Sequence, residues 1–143
     1  SELTNDFINL KSLNQCSAIV IDSDRDKPRT QPNATKKRIE QEFGDSNGFA
    51  WITKGREIEN YPDPDELEAA MKTVHPQKFG KVLGLGDYDN RLIVEHKKTK
   101  AVVTCDKVKV AQEMCCEPLS MGFLDLEKKL TELVAFVGRA NGA

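Results

Sequence analysis

Long hydrophobic runs are missing from this chain. No stretch of 18 or more apolar residues occurs, and no charged-then-apolar leader, so nothing marks a membrane span or a signal peptide. The expectation is a cytoplasmic protein with no membrane partner. Cysteine is scarce as well: Cys16, Cys105, Cys115 and Cys116 make no CxxC pair and match no histidine spacing, which favours free, buried thiols over zinc ligands or disulfides. Histidine occurs only at His75, before Pro76, and at His96 in a charged segment, leaving little support for a histidine nucleophile or a histidine metal centre. Neither sign of charge dominates. The 21 Lys and Arg against 23 Asp and Glu give a formal charge of −2, which argues against a general polyanion-binding surface. Any nucleic-acid contact must then be local, or supplied by a metal or by another part of a longer protein. The chain also lacks an initiating Met and is read as an excised piece.

What is present suits one soluble domain with a single core: 143 residues, 38% apolar and 31% charged. Its centre is IVIDSDRD, residues 19–26, an apolar run that ends in three carboxylates. From Cys16 to Ile21 only Ser17 interrupts the run, the pattern of a central parallel strand covered on both faces, with a ligand at its carboxyl end. Extended backbone through Asp22 and Asp24 would put both carboxylates on one side, where they repel unless a cation lies between them. Such a pair suits a hard divalent ion, Mg²⁺ or Mn²⁺. A solvated turn is the competing reading of DSDRD.

Polar KPRTQPNAT, with Pro28 and Pro32, reads as a loop, and Asn33 or Thr35 can cap a helix that runs to about Phe43. Gly44, Asp45, Ser46 and Asn47 stop that helix before FAWIT, residues 49–53, so strand, helix and strand predict a parallel unit. GREIENY, residues 55–61, follows directly. In extended backbone Glu57 and Glu59 share a face while Ile58 turns inward, and two neighbouring strands then deliver acidic pairs to one sheet edge. Four carboxylates crowded there call for a cation; a half-exposed strand with solvated acids is the alternative.

Further along, Asp63, Pro64 and Glu66 form a capping box with proline in the first turn. Asp87 and Asp89, among Gly84, Gly86 and Asn90, read as a turn. LIVEH and AVVTC predict strands of a small sheet or hairpin whose KKTK link carries Lys97 and Lys98, basic enough to touch phosphates or simply a solvated tip. CDKVKVAQEMCC predicts a helix capped by Thr104 or Asp106 with Val108, Ala111, Met114 and Cys115 on one face. Lys107 falls in its first turn, where the helix dipole disfavours a cation unless something anionic is near. The last helix, LDLEKKLTELVAFVGRANG, should pack on the sheet through Leu126, Leu130, Leu133, Val134 and Val137 and stop at Asn141 and Gly142. Leu3, Phe7, Leu10 and Leu13 predict a short leading helix.

In this order the pieces resemble the nuclease half of the OLD-family (overcoming lysogenization defect) ATP-dependent endonucleases, whose catalytic domain is of the TOPRIM type shared with topoisomerases and primases. The likeness rests on IVIDSDRD, on WITKGREIENY (51–61), on DKVKVAQEM (106–114) and more loosely on LVAFVGRANG; GREIENY after a hydrophobic strand is its specific element. It covers most of the chain from Cys16 onward. The resemblance implies an α/β fold, a TOPRIM-like Rossmannoid parallel sheet flanked by helices, and a metal-dependent DNA endonuclease or nickase working by a two-metal mechanism. Carried onto this sequence, it implies Asp22, Asp24, Glu57 and Glu59 as ligands of two Mg²⁺ or Mn²⁺ ions and Lys107 as the positive group at the phosphate or leaving oxygen. The implied partners are DNA and the ATPase domain of the same full-length protein, and a homo-oligomer is compatible with it.

Two departures accompany the likeness. A TOPRIM domain normally opens with a strand whose loop bears an essential glutamate in an EGxxE-like or EGxSD-like motif, and residues 1–15 contain none. No GxxxxGK[ST] loop occurs either, so the chain has no ATP site of that kind. The expectation is one domain over 1–143, a C-terminal fragment truncated at its N-terminal strand, that folds but cleaves poorly. Two other functions stay open: the same chemistry aimed at RNA, as in ribosomal-RNA maturases of this superfamily, and a non-catalytic metal- or partner-binding α/β module with a receiver-like acidic site.

Overall fold

The computed structural model describes residues 16–44 and 47–142, so the helix expected over residues 3–13 lies outside the described residues, as do Asp45 and Ser46. Strands β1 (Ala18–Ile21) and β2 (Phe49–Ile52) pair in parallel, Ala18 beside Phe49 and Ile21 beside Ile52. Helix α1 (Ala34–Gly44) joins them. It begins where Asn33 Oδ1 accepts the Lys36 N–H at 2.9 Å, and it buries Ile39 and Phe43, which are one turn apart. The predicted parallel unit is therefore present.

The two-sided cover predicted for β1 is not found among the described residues. Ile19 and Ile21 are half-buried, whereas Ala18 and Val20 face outward, Val20 at 48% exposure. Among those residues β1 has β2 as its one strand neighbour, and the last helix, α4 (Leu126–Ala140), lies against β2 instead. There Phe136 stacks on Phe49 with ring centroids 5.9 Å apart. That aromatic contact also sets the roll of α4. Phe136 is buried and Leu126, Leu130 and Leu133 are half-buried, but Val134 is 70% exposed and Val137 points outward too, because the helix turns to bury its largest apolar side chain.

LIVEH and AVVTC form the expected hairpin, β4 (Ile93–His96) and β5 (Val102–Thr104), which with β3 (Phe79–Val82) makes a second, antiparallel sheet; the larger parallel sheet that the resemblance implies is not found among the described residues. Its register sets Val82 against Val94 and Glu95 against Val102. The reason is chain length. Residues 83–92 and 97–101 form turns, shorter than the roughly dozen residues that a parallel crossover takes. The chain is thus α/β with two small sheets.

Helices α2 (Pro64–Val74) and α3 (Lys107–Met114) pack together over this second sheet. Leu67, Met71, Phe79, Leu92, Val94 and Val110 form the heart of that core, and Val94 has no exposed surface. Burying each such side chain stabilises by about 1.5–3 kcal/mol. Asp63 caps α2, accepting the Asp65 N–H at 2.7 Å, but Glu66 does not complete the expected box; its carboxylate takes the Ser120 hydroxyl at 2.7 Å. Asp106 caps α3 through Oδ1 and the Lys109 N–H at 3.1 Å. The inner face of α3 carries Val110 and Met114, not the expected Val108, Ala111 and Cys115, which are exposed. Lys107, three residues before Val110, then lies at the margin of the packed face. Cys105, Cys115 and Cys116 are free thiols as expected, yet only Cys105 is buried; Cys16, Cys115 and Cys116 are exposed.

Candidate active site

Two loops leave the carboxyl ends of the parallel strands, DSDRD after β1 and TKGRE after β2, and a short polar clasp locks them together. The Ser23 N–H donates to Thr53 Oγ1 at 2.8 Å, and the Ser23 hydroxyl donates to the Gly55 carbonyl at 2.5 Å. Asp24 N–H reaches the Arg56 carbonyl at 2.9 Å, while the Arg25 guanidinium bonds the Lys54 carbonyl. Ser23 and Thr53 are almost wholly buried, so these groups satisfy one another without water.

The backbone does not stay extended through the acids, contrary to expectation. Asp24 has φ +55°, a left-handed conformation that Asp tolerates better than most residues, so its carboxylate departs from the side that Asp22 occupies. Lys36 of α1 pairs with Asp24 and also donates to the Asp22 carbonyl at 2.6 Å. After Glu57 the chain tightens into a 3₁₀ turn, Ile58–Asn60. This reverses the expected facing: Ile58 is exposed and Glu59 is turned in, its side chain only 12% exposed.

The turn nevertheless brings both acidic stretches to one rim. Asp22 Oδ1 accepts the Ile58 N–H at 2.8 Å. Glu59 Oε1 lies 2.8 Å from Lys107 Nζ, and Glu59 Oε2 is buried without a hydrogen-bond partner. Glu57 Oε1 meets Arg56 Nε at 3.1 Å. The hydrogen bond that Lys107 donates to Glu59 holds its ammonium above the usual lysine range against the opposing effect of burial; the charges of Glu59, Asp22 and Glu57 add to it. Lys107 thus gains the anionic neighbours that its place in the first turn of α3 calls for. An apolar cavity of about 150 Å³, walled by Leu67, Leu92, Val110 and Met114 among others, backs the Glu59–Lys107 pair.

As a donor set the acids fit a hard cation in kind, since carboxylate oxygens are what Mg²⁺ and Mn²⁺ take, and the buried Glu59 oxygen has no other partner. Among the described residues no three His, Cys, Asp or Glu side chains converge on one ion position. The crowding that suggested bound cations is relieved in part by Lys36 and Lys107. Lys97 and Lys98 are not part of this gathering: they occupy the turn at one end of β4 and β5, whereas Lys107 follows from the other.

Asn60 and Tyr61 are structural supports of this turn that the sequence reading did not single out. Asn60 Oδ1 accepts the Glu57 N–H at 2.8 Å and its Nδ2 donates to the Asp89 carbonyl at 3.0 Å, which ties the acidic turn to the 84–90 turn. The spacing of Glu57 and Asn60, three apart at the start of a tight turn, was the available signal. Gly55 closes the arrangement, because a Cβ there would meet Asn60 Cβ at 2.6 Å and the Asp87 carbonyl at 2.8 Å. Gly55→Ala is expected to cost about 1–3 kcal/mol in urea unfolding through this overlap; an unchanged midpoint would show that the two turns separate freely. Comparison with protein-family models, with curated proteins and with solved structures gives no match, so the functional reading rests on these residues.

Proposed function

We propose that the chain is the nuclease portion of a TOPRIM-type, OLD-like endonuclease and that Asp22, Glu57, Glu59 and Lys107 form its phosphodiester-cleaving centre. One observation carries the reading: acids from DSDRD and GREIENY meet on one rim, joined by the Asp22–Ile58 hydrogen bond, with the lysine of DKVK 2.8 Å from Glu59. Asp22, Glu57 and Glu59 would hold Mg²⁺ or Mn²⁺, and Asp24 would join them on leaving Lys36. Held there, such an ion would supply Lewis acidity at a phosphate oxygen and would lower the pKa of a water, the chemistry that hydrolysis of a phosphodiester needs. Lys107, kept protonated by Glu59, would neutralise a phosphate oxygen or the leaving oxygen.

The preferred substrate is DNA. Supercoiled plasmid incubated with the chain and Mn²⁺ is expected to be nicked slowly, in a metal-dependent manner. Direct metal titration is the companion measurement, with Trp51 as reporter, since that buried side chain sits in β2, the strand that leads into the acidic turn. Absence of both nicking and any Trp51 response to Mg²⁺ or Mn²⁺ would refute the proposal. The pairing of Asp24 with Lys36 favours one alternative, a non-catalytic metal- or partner-binding module, and the plasmid assay separates the two, because that module nicks nothing whatever the titration shows.

A further inference from the structure

Where β2 ends, between α1 and the start of α4, lies an open cleft of about 430 Å³. Arg25, Lys37, Lys54 and Lys129 line it together with Glu40 and Asp125, a local excess of cations in a chain of net charge −2. Most of that positive charge is unspent. Lys37 and Lys54 make no ion pair among the described residues. Arg25 is fixed by the Thr53 and Lys54 carbonyls and lies 5.5 Å from the centre of the Tyr88 ring, contacts that orient the guanidinium without cancelling its charge. Only Lys129 has a carboxylate partner, Glu132 at 3.0 Å.

The cleft is continuous with the acidic loops, because Arg25 follows Asp24 directly and Lys54 directly precedes Gly55. We propose that it binds the phosphodiester backbone of a nucleic-acid strand through charge, without reading bases. The proposal rests on the nuclease reading for what the strand does there, though the binding itself does not require cleavage. No aromatic ring lines the cleft, so stacking contributes nothing and phosphate contacts supply the affinity. Each cation that meets a phosphate of a single strand steepens the log–log salt dependence by about 0.7, equivalent to roughly fivefold in affinity at 0.1 M salt.

The test is fluorescence anisotropy of a labelled single-stranded oligonucleotide with the whole chain across a salt series. Lys37→Ala combined with Lys54→Ala is expected to weaken binding about 25-fold at 0.1 M salt and to lower the salt slope by about 1.4. Both side chains are exposed and make no structural bond, so the variant should keep its fold. Lys97→Ala combined with Lys98→Ala is the competing arm. A loss from that pair as large as from the cleft pair, or less than twofold loss from the cleft pair, would overturn the proposal. So would association with phosphatidylserine vesicles in the absence of oligonucleotide binding, which would assign the cleft to a membrane surface. Cleft-dependent binding by a chain that neither nicks plasmid nor shows any Trp51 response to Mg²⁺ or Mn²⁺ would uphold the cleft while removing the nuclease reading.

Discussion

Glu59→Gln is expected to depress metal-dependent nicking by more than about 10²-fold while leaving the fold intact, and Asp22→Asn should do the same. The size follows from charge. A metal centre supplies several kcal/mol of transition-state stabilisation, and each 1.36 kcal/mol is tenfold in rate, so removing one carboxylate charge of a small set forfeits at least two decades. Both substitutions keep shape and hydrogen bonding. The amide that replaces the Asp22 carboxylate retains an oxygen for the Ile58 N–H, and the amide that replaces the Glu59 carboxylate retains one for Lys107.

Titration of the metal-free chain gives a second readout. Lys107 is held protonated chiefly by its hydrogen bond to Glu59, so in the metal-free parent its ammonium should lose its proton above the ordinary lysine range. Glu59→Gln should draw that step downward, and Asp22→Asn should move it less, because Asp22 acts on Lys107 only through its charge. Parent-like rates in both variants, with both properly folded, would remove these acids from the chemistry.

Tyr61→Phe should be among the most destabilising single-atom deletions in the molecule, at roughly 2–5 kcal/mol. The Tyr61 hydroxyl is a junction. It accepts from Trp51 Nε1 and from the Lys54 N–H, each at 2.9 Å, and donates to Asp125 Oδ1 at 2.8 Å. Phenylalanine would leave two donors of the β2 end without an acceptor, and each unsatisfied buried polar group costs about 1–3 kcal/mol. Urea unfolding followed by the sole tryptophan, Trp51, would measure the loss. A change below about 0.5 kcal/mol would mean that water replaces the hydroxyl.

Alkaline unfolding should distinguish the same two proteins. Burial is the main force pushing the Tyr61 phenol up, to about 12 from an ordinary 10.0. A raised folded pKa means a contribution fully present below pH 10 and lost as pH climbs towards 12. The parent should therefore weaken across that window, whereas the Phe variant, weaker throughout, lacks this component.

How far the sequence could be read depended on the kind of signal. Asn33, Asp63 and Asp106 cap their helices as their residue types suggest, and β1 and β2 pair in parallel around α1, because these are local preferences reinforced by a long crossover. The meeting of DSDRD with GREIENY was legible from two acidic stretches that each follow an apolar strand. What failed was backbone geometry inside the loops. Alternation was extended past the last ladder residue into Asp24 and Glu59, where left-handed and 3₁₀ conformations reverse which side chain faces in. Helix faces failed for a different reason: Val134, Val137 and Val108 satisfy a helical spacing as well as the residues that are buried, and only a tertiary neighbour such as Phe49 decides the roll. The second sheet was partly readable, since short turns forbid the crossovers that parallel strands would need.

The Ser23 clasp has a consequence for how such a centre can change over generations. Ser23, Asp24 and Arg25 grip TKGRE through the carbonyls of Lys54, Gly55 and Arg56, atoms that every residue type carries. Side chains at Lys54 and Arg56 can then be exchanged without shifting the framework that aims Asp22 and Glu59. Sequence is free to drift at those two positions while the placement of Asp22 and Glu59 stays as it is.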